Sequence, residues 1–131
     1  MNFIKSIFKS AAATKEVSNS YVEWIPLTSL EQLEEIKEQS HSETIAIFKH
    51  STRCGISRIV LRDFEKSFNK EKNNLKMYYL DLLNYRDVSN EISDVFKITH
   101  QSPQLLVIKN GEAVMHASHS SISKIQLEEY L

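Results

Sequence analysis

From Tyr21 onward, strand-like and helix-like patterns alternate along the chain with short connections, and that alternation is what most restricts the fold. Val22-Glu23-Trp24-Ile25-Pro26-Leu27 reads as a short edge strand, because Pro26 would forfeit a ladder bond in a central one. Thr28 or Ser29 caps a helix carrying Leu30, Leu33 and Ile36, and residues 44–49 form a second, strongly apolar strand. Ile59, Val60, Leu61, Phe64 and Phe68 then recur at helical spacing in a helix running from Ser57 to about Asn69. After a polar turn over 70–74, residues 75–81 form a third strand and 85–96 a helix with Val88, Ile92, Val95 and Phe96 on one side. Two apolar strands, 104–109 and 112–118, flank Asn110-Gly111, the strongest short hairpin signal. A last helix is expected from Ser121 to Leu131. Strands joined through helices pair in parallel with right-handed crossovers, and the hairpin adds an antiparallel pair. The expected fold is therefore α/β, a central mixed sheet with helices on both faces.

The 131 residues suit one domain with a real core, expected over 21–131. A net charge of −1 and no basic stripe argue against nucleic acid as a partner. One cysteine excludes an internal disulfide and a four-cysteine zinc site, and the reducing cytoplasm is the expected compartment. No run reaches the roughly 20 apolar residues of a membrane span. Residues 1–20 form an N-terminal extension in which Phe3, Ile4, Ile7 and Phe8, with Lys5 and Lys9, suggest a short amphipathic helix. Residues 1–10 are thus a candidate for weak contact with a membrane surface, or simply a loosely docked terminal helix.

The chemistry points to Cys54, which stands between the apolar strand 44–49 and the following helix. Free N–H groups and the positive dipole end at a helix start favour a thiolate over a thiol. Arg53 adds a neighbouring cation, Lys49 and His50 are close in sequence, and Ser57 shares the first helical turn. At the ordinary cysteine pKa of about 8.5 only ~3% of a thiol is ionised at pH 7, so such surroundings matter. In a Cys-x-x-Cys protein a resolving thiol stands where Ser57 is, so here a mixed disulfide must be resolved by an outside thiol. A second feature is Ser102-Pro103, at the mouth of a buried strand. A cis peptide bond there would turn the backbone of Ser102 toward an incoming chain, which could pair with it as an added strand.

A thiol at a strand-to-helix junction, then strand, helix, X-Pro, an Asn-Gly hairpin and a closing helix, resembles the thioredoxin fold. Within it, Lys49-His50-Ser51-Thr52-Arg53-Cys54-Gly55-Ile56-Ser57, together with Ser102-Pro103-Gln104 and Lys109-Asn110-Gly111, resembles the YtxJ-type, monothiol bacilliredoxin-like family. The resemblance implies a monothiol thiol–disulfide exchange protein that removes bacillithiol from mixed disulfides on cytosolic proteins. Its partners would be bacillithiol, as thiol co-substrate, and bacillithiolated proteins; no metal is expected. Cys54 would be the nucleophile, Arg53 and Ser57 would stabilise its anion, and Thr52, Ser102 and Pro103 would hold the substrate. Gly55 departs from the proline expected of many relatives, which should loosen the helix start.

Gly55 also makes Cys54-Gly55-Ile56-Ser57 similar to the Cys-Gly-Phe-Ser motif of monothiol glutaredoxins, which implies an iron–sulfur cluster carrier as the alternative. A redox-inert binding module on the same fold is a third possibility. Other residues read more plainly. His116 and His119 are solvent-facing or packing residues; His100, shortly before Pro103, is a loop residue or a neighbour of the thiol, and Asp81 is a cap for the turn after its strand or a buried carboxylate. His50 is placed for either a structural hydrogen bond or proton transfer.

Overall fold

The structure is a computed structural model and describes residues 22–68 and 75–131. The expectations for residues 1–20 and for the turn at 70–74 lie outside the described residues. Among the described residues five strands, β1 (Trp24–Pro26), β2 (Ile45–His50), β3 (Lys76–Asp81), β4 (Gln104–Lys109) and β5 (Glu112–Ser118), form one sheet in the order β1-β3-β2-β4-β5. β3 pairs in parallel with both β1 and β2, while β4 runs antiparallel to β2 and to β5. Pro26 is therefore on an edge strand, where its missing N–H costs no ladder bond.

Among the described residues, three α-helices connect these strands: α1 (Leu30–Gln39), α2 (Gly55–Ser67) and α3 (Arg86–Phe96). Ser29 caps α1 through a reciprocal box: its hydroxyl accepts from the Gln32 N–H, and the Gln32 side chain accepts from the Ser29 N–H. Alternation along β2 divides the interior. Ile45 and Ile47 join Leu33, Ile36, Val88, Ile92 and Phe96 under α1 and α3. Ala46 and Phe48 join Val60, Phe64 and Phe68 under α2 on the opposite face. Every residue of β2 is buried, as a central strand covered on both sides must be.

The hairpin takes the geometry that Asn-Gly favours, with φ of 55° at Asn110 and 79° at Gly111. Its two amides are held by the end of α1, as Asn110 N–H donates to Ser40 O and Gly111 N–H to Ser40 Oγ, both at 2.8 Å. A bulge follows: Val107 pairs with Met115 but Ile108 with Ala113, so Val114 is extra. Ala113 consequently packs with the first cluster, and Met115 and Ala117 with the second.

Two expectations require correction. The closing helix is instead a pair of 3₁₀ turns, His119–Lys124 and Leu127–Tyr130, separated by extended backbone at Ile125 and Gln126. Ser121 and Ser123 direct their hydroxyls to the carbonyls of Ser118 and Ser120, a local bonding that competes with the α-helical ladder. The buried residues Ile122 and Leu127 are five apart, a spacing that no single α-helical stripe provides. Ile59, placed with Val60 and Phe64 in the helix's apolar spacing, faces solvent at 58% exposure; the buried side chains of α2 are Ser57, Val60 and Phe64.

Candidate functional site

β2 ends at His50, and the next four residues carry the chain to Cys54, the N-cap of α2. A tight turn shapes this link: the Cys54 N–H donates to Ser51 O at 3.1 Å, and the Arg58 N–H to Cys54 O at 3.1 Å. Arg58 Nη1 also reaches the Thr52 carbonyl at 3.4 Å. Cys54 has extended backbone, makes no side-chain cap bond, and is a free, exposed cysteine. Thr52, Arg53 and Gly55 are exposed around it, as is Ile56 at 67%. The thiol thus stands on the surface at the positive end of a 13-residue helix.

Ser57 is fully buried, beneath that surface. Its hydroxyl lies 2.8 Å from His50 Nδ1 and accepts the Ser51 N–H at 3.2 Å, so its observed partners are these two groups and not the sulfur. His50 is itself buried, packed against the rings of Phe48 and Tyr79. Burial holds its pKa below the ordinary imidazole value, Asp81 pulls it upward, and Arg58 pushes it down. Asp81 is the residue paired with His50 across the β2–β3 ladder. One of its carboxylate oxygens accepts from Asn84 Nδ2 at 2.7 Å; the other, Oδ1, is buried without a hydrogen-bond partner among the described residues.

Lys49 turns to the other face of the sheet. Although fully buried, it donates through Nζ to His100 Nδ1 at 2.8 Å and to Gln104 Oε1 at 3.1 Å. Gln104 Nε2 in turn donates to the Thr99 carbonyl at 3.1 Å. Among the described residues no carboxylate reaches this ammonium, and desolvation lowers its pKa to about 8. The cluster ties the segment that leads into Ser102-Pro103 to β2. The Ser102–Pro103 peptide bond is cis, with Ser102 half-buried and Pro103 buried. Since Lys49 pairs with Gln104, this junction enters β4 at the end of the sheet where β2 leaves toward Cys54.

The structure therefore gathers Thr52, Arg53, Cys54 and Ser57 at one helix start and sets Ser102 and Pro103 at the same sheet end. Lys49, grouped with Cys54 by sequence proximity, belongs to the opposite face. Sequence reading missed the Lys49–His100–Gln104 cluster and the exposure of Asp81 to His50. Strand alternation signals the first, since Lys49 and Gln104 fall on apolar faces, but pairing register is needed for the second. His116 and His119 are exposed. No group of three histidine, cysteine, aspartate or glutamate side chains among the described residues is placed to hold a metal ion, and no helix among them is long and apolar enough to cross a membrane.

A parallel strand feeding a cysteine-capped helix, with a cis proline opening the adjacent antiparallel strand, defines a thioredoxin-fold protein of thiol redox type. Comparison with solved structures agrees. A protein assigned as an oxidoreductase with a thioredoxin fold is 31% identical, with a TM-score of 0.65 over 76% of this chain and 85% of that one. Thioredoxin from Schistosoma mansoni is 25% identical, with a TM-score of 0.59 over 78% of this chain and 88% of its own. Thioredoxin from Trypanosoma brucei brucei, at 17% identity, shares the fold with a TM-score of 0.66 over 84% and 90%. Residues 25–127 match the family described as monothiol bacilliredoxin BrxC, and the chain belongs to that family.

Proposed function

We propose that this protein removes bacillithiol from mixed disulfides on other proteins by thiol–disulfide exchange at Cys54. The observation that carries the reading is a lone, exposed cysteine at the N-cap position of a long helix, at the sheet end that also holds Ser102-Pro103. The Cys54 thiolate attacks the bacillithiol sulfur of the mixed disulfide. The new bond is Cys54 to bacillithiol, and the bond to the target breaks, so the target sulfur leaves as a thiolate and takes up a proton. A second bacillithiol, as thiolate, then attacks the bacillithiol sulfur held on Cys54, giving bacillithiol disulfide and regenerating Cys54. With one cysteine in the chain, that outside thiol is the only resolving group the protein has in this cycle.

Arg53 and the first-turn N–H groups of α2 favour the anion, and Ser57 supplies a hydroxyl at the third position of the helix. Thr52 and the backbone of Ser102 beside Pro103 hold the incoming chain, with the exposed Ile56 bordering the thiol. A cytoplasmic setting, where a low-molecular-weight thiol keeps such an adduct turning over, suits this chemistry. The test is intact mass of a bacillithiolated protein incubated with the reduced chain and bacillithiol. The adduct should disappear with the wild-type protein and persist with Cys54→Ser, whose fold is unchanged. Removal of the adduct by Cys54→Ser would overturn the reading.

A further inference from the structure

We propose that Asp81, His50 and Ser57 form a proton relay behind Cys54, which takes up the thiol proton on activation and returns it when exchange is complete. The inference rests on the reading of Cys54 as nucleophile and adds three residues that act through one another. Ser57 Oγ carries a single proton and two lone pairs. One lone pair is taken by the Ser51 N–H at 3.2 Å, and His50 Nδ1 lies 2.8 Å away. Both side chains are buried, so water does not compete for these bonds. While Nδ1 is unprotonated, the hydroxyl proton points to the ring. Once Nδ1 carries a proton, the ring donates to the second lone pair and the hydroxyl proton is released.

Its new acceptor is the sulfur. Cys54 is the N-cap of α2 and Ser57 its third residue, so both stand on the helix's first turn; the exposed thiol makes no cap bond, and activation begins when it turns toward the hydroxyl. Activation moves the Cys54 proton to Ser57 Oγ as the Ser57 proton moves to His50 Nδ1. The products are a Cys54 thiolate accepting a bond from the Ser57 hydroxyl and an imidazolium at His50. The positive ring faces Asp81, whose Oδ1 is buried and without a hydrogen-bond partner among the described residues. An unsatisfied buried carboxylate oxygen is costly, and an imidazolium on the neighbouring strand offsets that cost. After the attack the proton passes back through Ser57 and out to the departing thiolate, so Cys54 thiol and mixed disulfide become Cys54 disulfide and target thiol.

The groups facing His50 are Asp81 and Tyr79 from β3, Arg58 and Ser57 from α2, and Phe48 on its own strand. Their balance lowers the ring's pKa from the ordinary imidazole value, burial being the largest cause, which favours the neutral form that can accept a proton. His50 and Asp81 are positioning residues in this scheme, since neither touches the substrate.

The test is the rate of Cys54 alkylation by iodoacetamide against pH, read by intact mass, for the full chain with folding checked by Trp24 fluorescence. Ser57→Ala and His50→Gln should each raise the pH of half-maximal alkylation by about one unit, the size expected for losing a hydrogen bond to a charged group. Asp81→Asn should shift it in the same direction. The double variant Ser57→Ala/His50→Gln should move no further than the larger single shift, because the residues act in series. Unchanged profiles in the folded single variants, or additive shifts in the double, would overturn the relay. If His50→Gln does not fold, unchanged profiles in Ser57→Ala and Asp81→Asn overturn it alone. Alkylation needs no bacillithiol, so a wild-type protein that shows the relay shifts yet leaves bacillithiolated proteins intact would uphold the relay and contradict the proposed substrate.

Discussion

At the scale of single residues, Lys49 is a buried cation that no carboxylate reaches among the described residues. It is fully buried, bonded among the described residues to His100 and Gln104, and its pKa falls to about 8 from the 10.5 of an unfolded chain. Between those pH values the unfolded chain binds more protons than the folded one, so stability rises with pH. Tyr79 acts oppositely above pH 10, since burial and the Asp81 and Glu65 charges lift its phenol to about 12. In a Cys54→Ser background, urea unfolding followed by Trp24 fluorescence should gain about 2–3 kcal/mol between pH 8 and 10. Adding Lys49→Met should flatten that rise; a rise that survives the substitution would assign it elsewhere. His50 contributes on the acid side. Its lowered pKa means that stability, fully present above pH 6.5, declines as the pH falls through the folded value. That decline should be absent in His50→Gln.

Elements turn such residue choices into geometry. Phe48 sits at the middle of the α2 face, 5.5 Å between centroids from Phe64 and 5.8 Å from Trp24. Phe48→Ala should cost about 3–5 kcal/mol in urea unfolding, the range for emptying an aromatic core position. At the hairpin, Gly111 has a left-handed φ of 79°, and an added Cβ would meet the His41 ring at 3.4 Å. Gly111→Ala is expected to lower stability by about 1–2 kcal/mol; no loss in unfolding would contradict the turn geometry. The hairpin was legible because Asn-Gly encodes a backbone shape locally, and β2 because a doubly covered strand is continuously apolar. The last segment was not. Leu, Glu and Lys in 121–131 favour a helix, but serine hydroxyls and the five-residue spacing of Ile122 and Leu127 are decided by what the segment packs on. Asp81 holds the turn after its strand through Asn84, as its position suggests, but its pairing with His50, 31 positions away, depends on register, which is not written in local pattern.

For the molecule as a whole, the fold does one thing for the chemistry: it brings the end of a buried parallel strand, a helix start and the Ser102-Pro103 junction to one sheet end. Two apolar layers, one under α1 and α3 and one under α2, hold that arrangement rigid while leaving the thiol exposed. The place of Cys54 at a helix start was legible in the sequence because an apolar strand pattern and a helical one meet there, both local. The Lys49 cluster and the His50–Asp81 pairing were not, because each joins separate elements. Membership of the monothiol bacilliredoxin family places the chemistry in the class of thiol redox proteins, and the specific exchange remains the central claim. The most direct measurement is intact mass after mixing reduced protein with bacillithiol disulfide and, separately, with glutathione disulfide. The account predicts a rapid adduct on Cys54 that prefers bacillithiol and is reversed by added bacillithiol. Slow or absent reaction with both disulfides would contradict it.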